Sequence, residues 1–168
     1  TFLILCWSVW VESSLRAEPP EIVSVKMIWD EGEHNAFTDL IRFRDHWWIT
    51  FREAKDHGPS IGKVRIIVSD DGEDWRSAAL VKQDGVDLRD PKLSITPDGR
   101  LMMVTREWRD DQLPALKGYS TDGGKTWKLQ ELPFHVQGRT CGALLKDGRV
   151  MVTFRSGCGR SAEWAWIG

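Results

Sequence analysis

A chain of 168 residues with 41 % hydrophobic content has the size and composition of an ordinary folded domain. Its net charge of −2 argues against a nucleic-acid surface, so no nucleic-acid partner is expected. Ten tryptophans against one tyrosine is unusual, and both repeated apolar plugs and a sugar-binding cleft make use of tryptophan.

The first residues read as a targeting segment. Phe2 to Val11 is an unbroken, largely apolar run too short to span a bilayer, and Leu15-Arg16-Ala17 offers a small-residue cleavage point before Glu18-Pro19-Pro20. Residues 1–17 are therefore expected to be a signal peptide without its Met and basic start; a buried first strand is the alternative. Export implies a secreted, periplasmic or extracellular protein with no membrane span after cleavage. Cys6 would leave with the leader, while Cys141 and Cys158 would stay in an oxidising compartment, either paired or as separate thiols. With no C-x-x-C or H-E-x-x-H pattern, neither a metal nor a cofactor is expected.

Residues 18–33 read as a lead-in and first strand, and a repeat follows. Thr38–Phe43 passes through Arg44-Asp45-His46 into Trp47–Glu53; Pro91–Thr96 passes through Pro97-Asp98-Gly99 into Arg100–Glu107; Gly142–Leu145 passes through Lys146-Asp147-Gly148 into Arg149–Arg155. After the first two of these hairpins comes a second one. Ser120, Asp122, Gly124 and Trp127 fit S-x-D-x-G-x-x-W, and Val68–Trp75 repeats Asp70, Gly72 and Trp75 with the serine shifted to Ser69. Ser and Asp oxygens accept from turn amides, Gly takes positive φ, and Trp folds back as a plug, so each motif is predicted to be a hairpin turn. Gly123-Gly124-Lys125-Thr126 is not a phosphate loop, because Tyr119 stands where that motif needs glycine.

Two hairpins in about fifty residues is the period of a propeller blade. Residues 34–168 are expected to form an all-β array of about three blades, the third being two strands followed by a tail at Ser161–Gly168. Since closed propellers use about 4–8 blades, this reads as the N-terminal portion of a longer propeller.

These motifs resemble the sialidase (neuraminidase) superfamily, whose Asp boxes (BNR repeats) have this form. Arg89-Asp90-Pro91-Lys92-Leu93 is similar to that family's R-I-P-x-L signature. The resemblance covers roughly residues 34 to 156. It implies a six-bladed propeller and a glycoside hydrolase that removes terminal sialic acid, or a related acidic sugar, from a glycan or sialoglycoconjugate. An arginine triad would grip the substrate carboxylate, an Asp would serve as acid/base, and a Tyr activated by Glu would be the nucleophile.

In an antiparallel blade the Asp-box turn and the substrate rim lie at opposite ends. The Asp-box residues are thus expected to be structural. The other rim should collect His34, Asn35, Arg52, Glu53, Arg89, Asp90, Arg106 and Arg155 as substrate-binding candidates, with arginines recurring at one blade position. Each arginine could instead pair with a neighbouring carboxylate. By resemblance Asp56, in the loop after the second strand, is the candidate acid/base, which requires a raised pKa from burial or a second carboxylate. Ala36 stands where the first unit would carry its signature arginine. Tyr119 lies towards the Asp-box end, so the chain by itself is expected to be inactive. A non-catalytic carbohydrate-binding or protein-interaction propeller is the alternative.

Overall fold

The computed structural model describes residues 21–58, 60–108, 114–135, 137–156 and 162–168, and everything below refers to these. The expected signal peptide and Cys158 lie outside them. Cys141 is exposed. Residues 21–33 contain no strand, so the first strand opens at His34 rather than within the lead-in.

The protein is all-β. Strands β1 (His34–Phe43), β2 (His46–Ala54), β3 (Lys63–Ser69) and β4 (Arg76–Val81) form one antiparallel four-stranded sheet in chain order. Strands β5 (Asp87–Ile95), β6 (Leu101–Trp108), β7 (Pro114–Ser120) and β8 (Lys128–His135) form a second. The third contains β9 (Gln137–Leu144), β10 (Val150–Ser156) and β11 (Ala162–Ile167). The tail expected after β10 is thus a strand: Phe154 pairs with Trp164 and Val152 with Trp166. Strand β5 lies between β1 and β9, so the first strands of three successive blades are neighbours, as around a propeller axis.

Strand parity determines what each blade buries. On β2, Trp48, Thr50 and Arg52 face one way and Ile49, Phe51 and Glu53 the other, because successive side chains alternate across the sheet. Trp48 joins Val64, Ile66, Val68, Leu88, Leu93, Leu101 and Met103 in a core between blades one and two. Ile49, Phe51 and Ile67 face outward and are covered by Ile28 and Trp29 of the lead-in and by Trp75. Between blades two and three the core is Met102, Val104, Leu132 and Phe154. Blade two is covered on both faces, which is why β6 reads as the continuous apolar run Leu101–Val104.

The two Asp boxes are built alike but not numbered alike. In the second, Ser120 Oγ accepts from Gly124 N (2.6 Å) and donates to Asp122 Oδ1 (2.9 Å). Asp122 takes the amides of Lys125 and Thr126 at 3.0 and 2.9 Å, and Trp127 Nε1 donates to Gly124 O at 3.0 Å. In the first, Ser69 Oγ accepts from Gly72 N (2.8 Å), the amides of Glu73 and Asp74 donate to Asp71 Oδ1, and Trp75 Nε1 donates to Gly72 O. The turn carboxylate is therefore Asp71, not Asp70, because this copy is one residue shorter between Asp and Gly. Asp70 instead sits on the surface between Arg76 (3.2 Å) and His46 (2.7 Å).

These amide and hydroxyl donors set a pH dependence. The amides of Asp74 and Glu73 and the Ser69 hydroxyl lower Asp71 from the ordinary 3.8 to about 2, and Thr126 holds Asp122 well below the usual carboxylate range. A depressed folded pKa means the stabilisation is complete above the unfolded value and is lost as pH falls through the folded one. Acid titration of tryptophan fluorescence should therefore show unfolding that steepens between pH 3.8 and about 2. The Asp71→Asn/Asp122→Asn variant should be less stable at neutral pH, with a flatter acid limb. An unchanged acid limb would remove these carboxylates from the account.

Candidate functional site

The end of each blade opposite the Asp boxes is marked by a repeated irregularity. Bulges interrupt the pairing between Ala36 and Asp39 on β1, between Arg89 and Lys92 on β5, and between Gln137 and Thr140 on β9, opposite Phe154 and Arg155. Just outside each bulge, β2, β6 and β10 place an arginine opposite the neighbouring strand: Arg52 across from Ala36, Arg106 across from Arg89, and Arg155 across from Gln137. Within the bulges Phe37 (φ 62°) and Asp90 (φ 50°) take the left-handed backbone that residues with a side chain rarely adopt. Such outliers persist where surrounding structure holds them, as these two are at this rim.

Blades one and two are joined at this rim by a buried charge network centred on Asp87. Arg52 is fully buried and donates Nε to Asp87 Oδ1 (2.9 Å), Nη1 to Asp56 O (2.8 Å) and Nη2 to Ser60 O (2.7 Å). Arg89 donates Nε to the other Asp87 oxygen (2.6 Å) and Nη2 to Gly58 O (2.7 Å). Gly62 N adds a third donor to Asp87 at 2.9 Å. Arg106 donates Nε to Asp90, whose carboxylate is buried. The loop residues Asp56, Gly58 and Ser60 are thus held by their backbone carbonyls on two guanidiniums, which share one carboxylate.

Arg52, Arg89 and Arg106 thus pair with carboxylates of their own chain, the alternative to waiting for a ligand. Arg52 is a loop anchor. Arg89 and Arg106 also have carboxylate partners and are themselves buried, but their guanidinium carbons lie 4.6 and 5.0 Å from the ring centroid of Trp108, beneath its indole. Trp108 is 41 % exposed, so its indole caps the two cations and presents apolar surface at the rim. Arg155 lies between Gln137 and Glu163 in the ladder of the third sheet.

Other candidates are dispersed. Glu53 points to the opposite face from Arg52 and accepts a bidentate pair from Arg65, Nε at 2.9 Å and Nη2 at 3.1 Å, which holds its carboxyl below the usual range. It is therefore a structural ion pair away from the arginine network. Asn35 donates to Gly32 O at 3.1 Å and secures the lead-in. His34 Nε2 lies 3.2 Å from His57 Nδ1, and the His57 ring also meets Phe37 at 5.4 Å, so this cluster rests on the strained bulge. Asp56 follows Lys55 on the exposed part of the anchored loop, without the burial an acid role requires. Asp39 fastens blade one to blade two through Leu93 N (2.7 Å) and Lys92 Nζ (3.6 Å).

Strand parity in the sequence places Asp87 and His57 at this rim without showing that contacts centre on them, and it does not single out Trp108. Trp108 follows Glu107 at the end of β6, where alternation alone would have placed its side chain near Arg106. Among the described residues no group of three His, Cys, Asp or Glu is arranged to hold a metal ion, and no helix is long and apolar enough to cross a membrane.

No family model matches the chain, and no curated protein matches it. Solved structures do. The chain is similar to a protein of unknown function from Dyadobacter fermentans DSM 18053, with TM-score 0.66 and 22 % identity over 76 % of this chain and 36 % of the other. It is similar to a mutant alpha-L-arabinofuranosidase from Fusarium graminearum in complex with an iminosugar inhibitor, with TM-score 0.63 and 16 % identity over 79 % and 45 %. A Hadza microbial sialidase gives TM-score 0.62 and 16 % identity over 80 % and 31 %.

The fold is that of propeller glycosidases. At these identities the likeness concerns the fold alone, and arabinan-, xylose- and sialic-acid-related enzymes share it. The chain spans less than half the length of the structures just described.

Proposed function

We propose that the rim carrying Trp108, Arg89, Arg106 and the Asp56 loop is the glycan-facing side of a glycoside hydrolase propeller. The observation that supports this is the convergence, on the end opposite the Asp boxes, of an exposed indole, two cations and a loop bearing an exposed carboxylate. Sugar rings stack on indole faces while cations and carboxylates take the hydroxyls, so this rim has the chemistry a glycan needs. Within that class the substrate we propose is a terminal sialic acid or related acidic sugar, with Arg89 and Arg106 nearest its carboxylate and Asp56 as acid/base, the burial that role requires being supplied by the glycan covering its loop. Asp87 and Asp90 offset part of that positive charge, so recognition rests on the guanidinium nitrogens not spent on them. Tyr119 pairs with Met102 and Lys128, next to the second Asp box, and is too far along β7 to serve as nucleophile. The chain alone is accordingly expected to be inactive, with the nucleophile supplied from outside it, and an exported location follows from the leader read in the sequence.

The gene product containing this chain should hydrolyse a fluorogenic sialic-acid glycoside, and Arg89→Ala should weaken a carboxylate-bearing inhibitor at least tenfold more than its neutral analogue. Turnover of an arabinofuranoside with none of the sialoside would reject the acidic sugar and keep the glycosidase. Binding of a glycan without turnover of either would favour a non-catalytic carbohydrate-binding propeller. Ala36, standing where blade two has Arg89, supports that second reading.

A further inference from the structure

The Asp-box end of the molecule contains a cavity of about 520 Å³, formed entirely between blades one and two. Its walls come from the β1–β2 turn, the β3–β4 hairpin and the neighbouring Asp box: Phe43, Trp48, Val68 and Ala78 supply apolar surface, while Arg44, His46, Arg76 and Lys125 supply cationic or proton-accepting groups. Of the ten residues lining it, four are basic and none is acidic. Asp70 pairs with Arg76 and His46, which leaves Arg44 and Lys125 as the cations for a ligand. Among the described residues neither Arg44 nor Lys125 has a carboxylate partner.

The turn that carries Arg44 is the second observation. Arg44 and Asp45 both have positive φ, 49° and 63°, whereas the corresponding turns of blades two and three put Gly99 and Gly148 in that region. Aspartate tolerates the left-handed region locally, but arginine gains nothing from it. The strained backbone places the Arg44 guanidinium over the Phe43 ring, 5.0 Å from its centroid, with Nη2 3.4 Å from Gly99 O across the blade boundary. A strained cation at the mouth of a cavity with an aromatic floor and no acidic lining is suited to an anion with a flat apolar body.

We propose that this cavity is a second binding site, separate from the glycan-facing rim, for a small organic anion: an aromatic or alicyclic carboxylate, sulfonate or sulfate ester. The apolar body packs on Phe43, Trp48 and Val68, and the anionic group lies between Arg44 and Lys125. With no acidic residue in its lining, the cavity offers a sugar's hydroxyl protons no carboxylate acceptor, which separates the site from the glycan rim.

Titration calorimetry of the full chain with naphthalene-2-sulfonate, against 2-naphthalenemethanol as the neutral body, tests the proposal. The sulfonate should bind at least tenfold more tightly than the alcohol and should weaken as salt rises. Arg44→Gly should keep the fold, since glycine accepts the φ of this turn, and should lower sulfonate affinity about five- to tenfold; Lys125→Ala should lower it several-fold. Intermolecular NOEs should run from the naphthalene protons to the Trp48 indole. Equal binding of the two probes, an unchanged affinity in Arg44→Gly, or NOEs to Trp108 instead would each overturn it.

Discussion

Gly124→Ala should be among the most destabilising single-methyl additions in the chain. Gly124 has φ +95°, and a Cβ there would lie 2.4 and 2.6 Å from Cζ3 and Cη2 of Trp48. Those atoms belong to a rigid indole, itself buried and fixed by its Nε1 bond to Phe43 O at 3.1 Å, so the ring cannot swing aside. Left-handed strain of about 1–2 kcal/mol adds to overpacking of about 1–3 kcal/mol, for a loss of about 2–5 kcal/mol. Gly123 is the internal control: it has φ +73° but nothing within 4 Å of its added Cβ, so Gly123→Ala should cost only the strain. Urea unfolding of the two variants should differ by at least about 1 kcal/mol in that order. Equal losses would mean that the Asp box does not pack its glycine against Trp48, and the contact joining blade one to blade two at this end would be lost from the account.

Arg52→Met should be as damaging at the other rim. The substitution keeps most of the aliphatic volume, but it leaves the Ser60 carbonyl without its guanidinium donor, the Asp56 carbonyl with the Ser60 hydroxyl alone (3.2 Å), and Asp87 without one of its three. Removing one partner of a buried, hydrogen-bonded ion pair costs about 3–5 kcal/mol. Arg52→Lys should recover little, because one ammonium cannot reach a carboxylate and two carbonyls in three directions as the guanidinium fork does. Beyond global stability, limited proteolysis should cut the loop at 55–58 faster in both variants. An Arg52→Met protein as stable as the parent, with an unchanged cleavage rate, would show that Arg52 is not the loop's anchor and would reopen its reading as a ligand-binding residue.

The contrast between the two rims shows which features can be read from sequence. The blades are legible because their information is local: alternating apolar residues, turns at Pro97-Asp98-Gly99 and Lys146-Asp147-Gly148, and a Ser, Asp, Gly and Trp within eight residues. Even there, two adjacent aspartates defeat alignment by spacing, since anchoring on Gly72 and Trp75 selects Asp70 whereas anchoring on Ser69 selects Asp71. Only the hydrogen bonds decide between them. Strand β11 was missed because five or six residues such as Glu163-Trp164-Ala165-Trp166-Ile167 reveal a strand only with the partner β10 in view. The opposite separation of Arg52 and Glu53 was legible in principle, because adjacent strand residues face opposite sides. The arginine partners were not: Asp87 is 35 residues from Arg52 and belongs to the next blade. A recurring arginine reads the same in sequence whether it waits for a substrate carboxylate or already holds one from its own chain.

The division of the two ends into a glycan-facing rim and a structural rim is the central claim, and tryptophan oxidation footprinting of the gene product containing this chain tests it most directly. Trp108 marks one end, and Trp75 and Trp127 the other. With a saturating sialyl- or arabino-oligosaccharide, the account predicts that Trp108 becomes several-fold slower to oxidise while Trp75 and Trp127 are unchanged. Protection of Trp75 or Trp127 with Trp108 unaffected would place the glycan on the Asp-box end and contradict it.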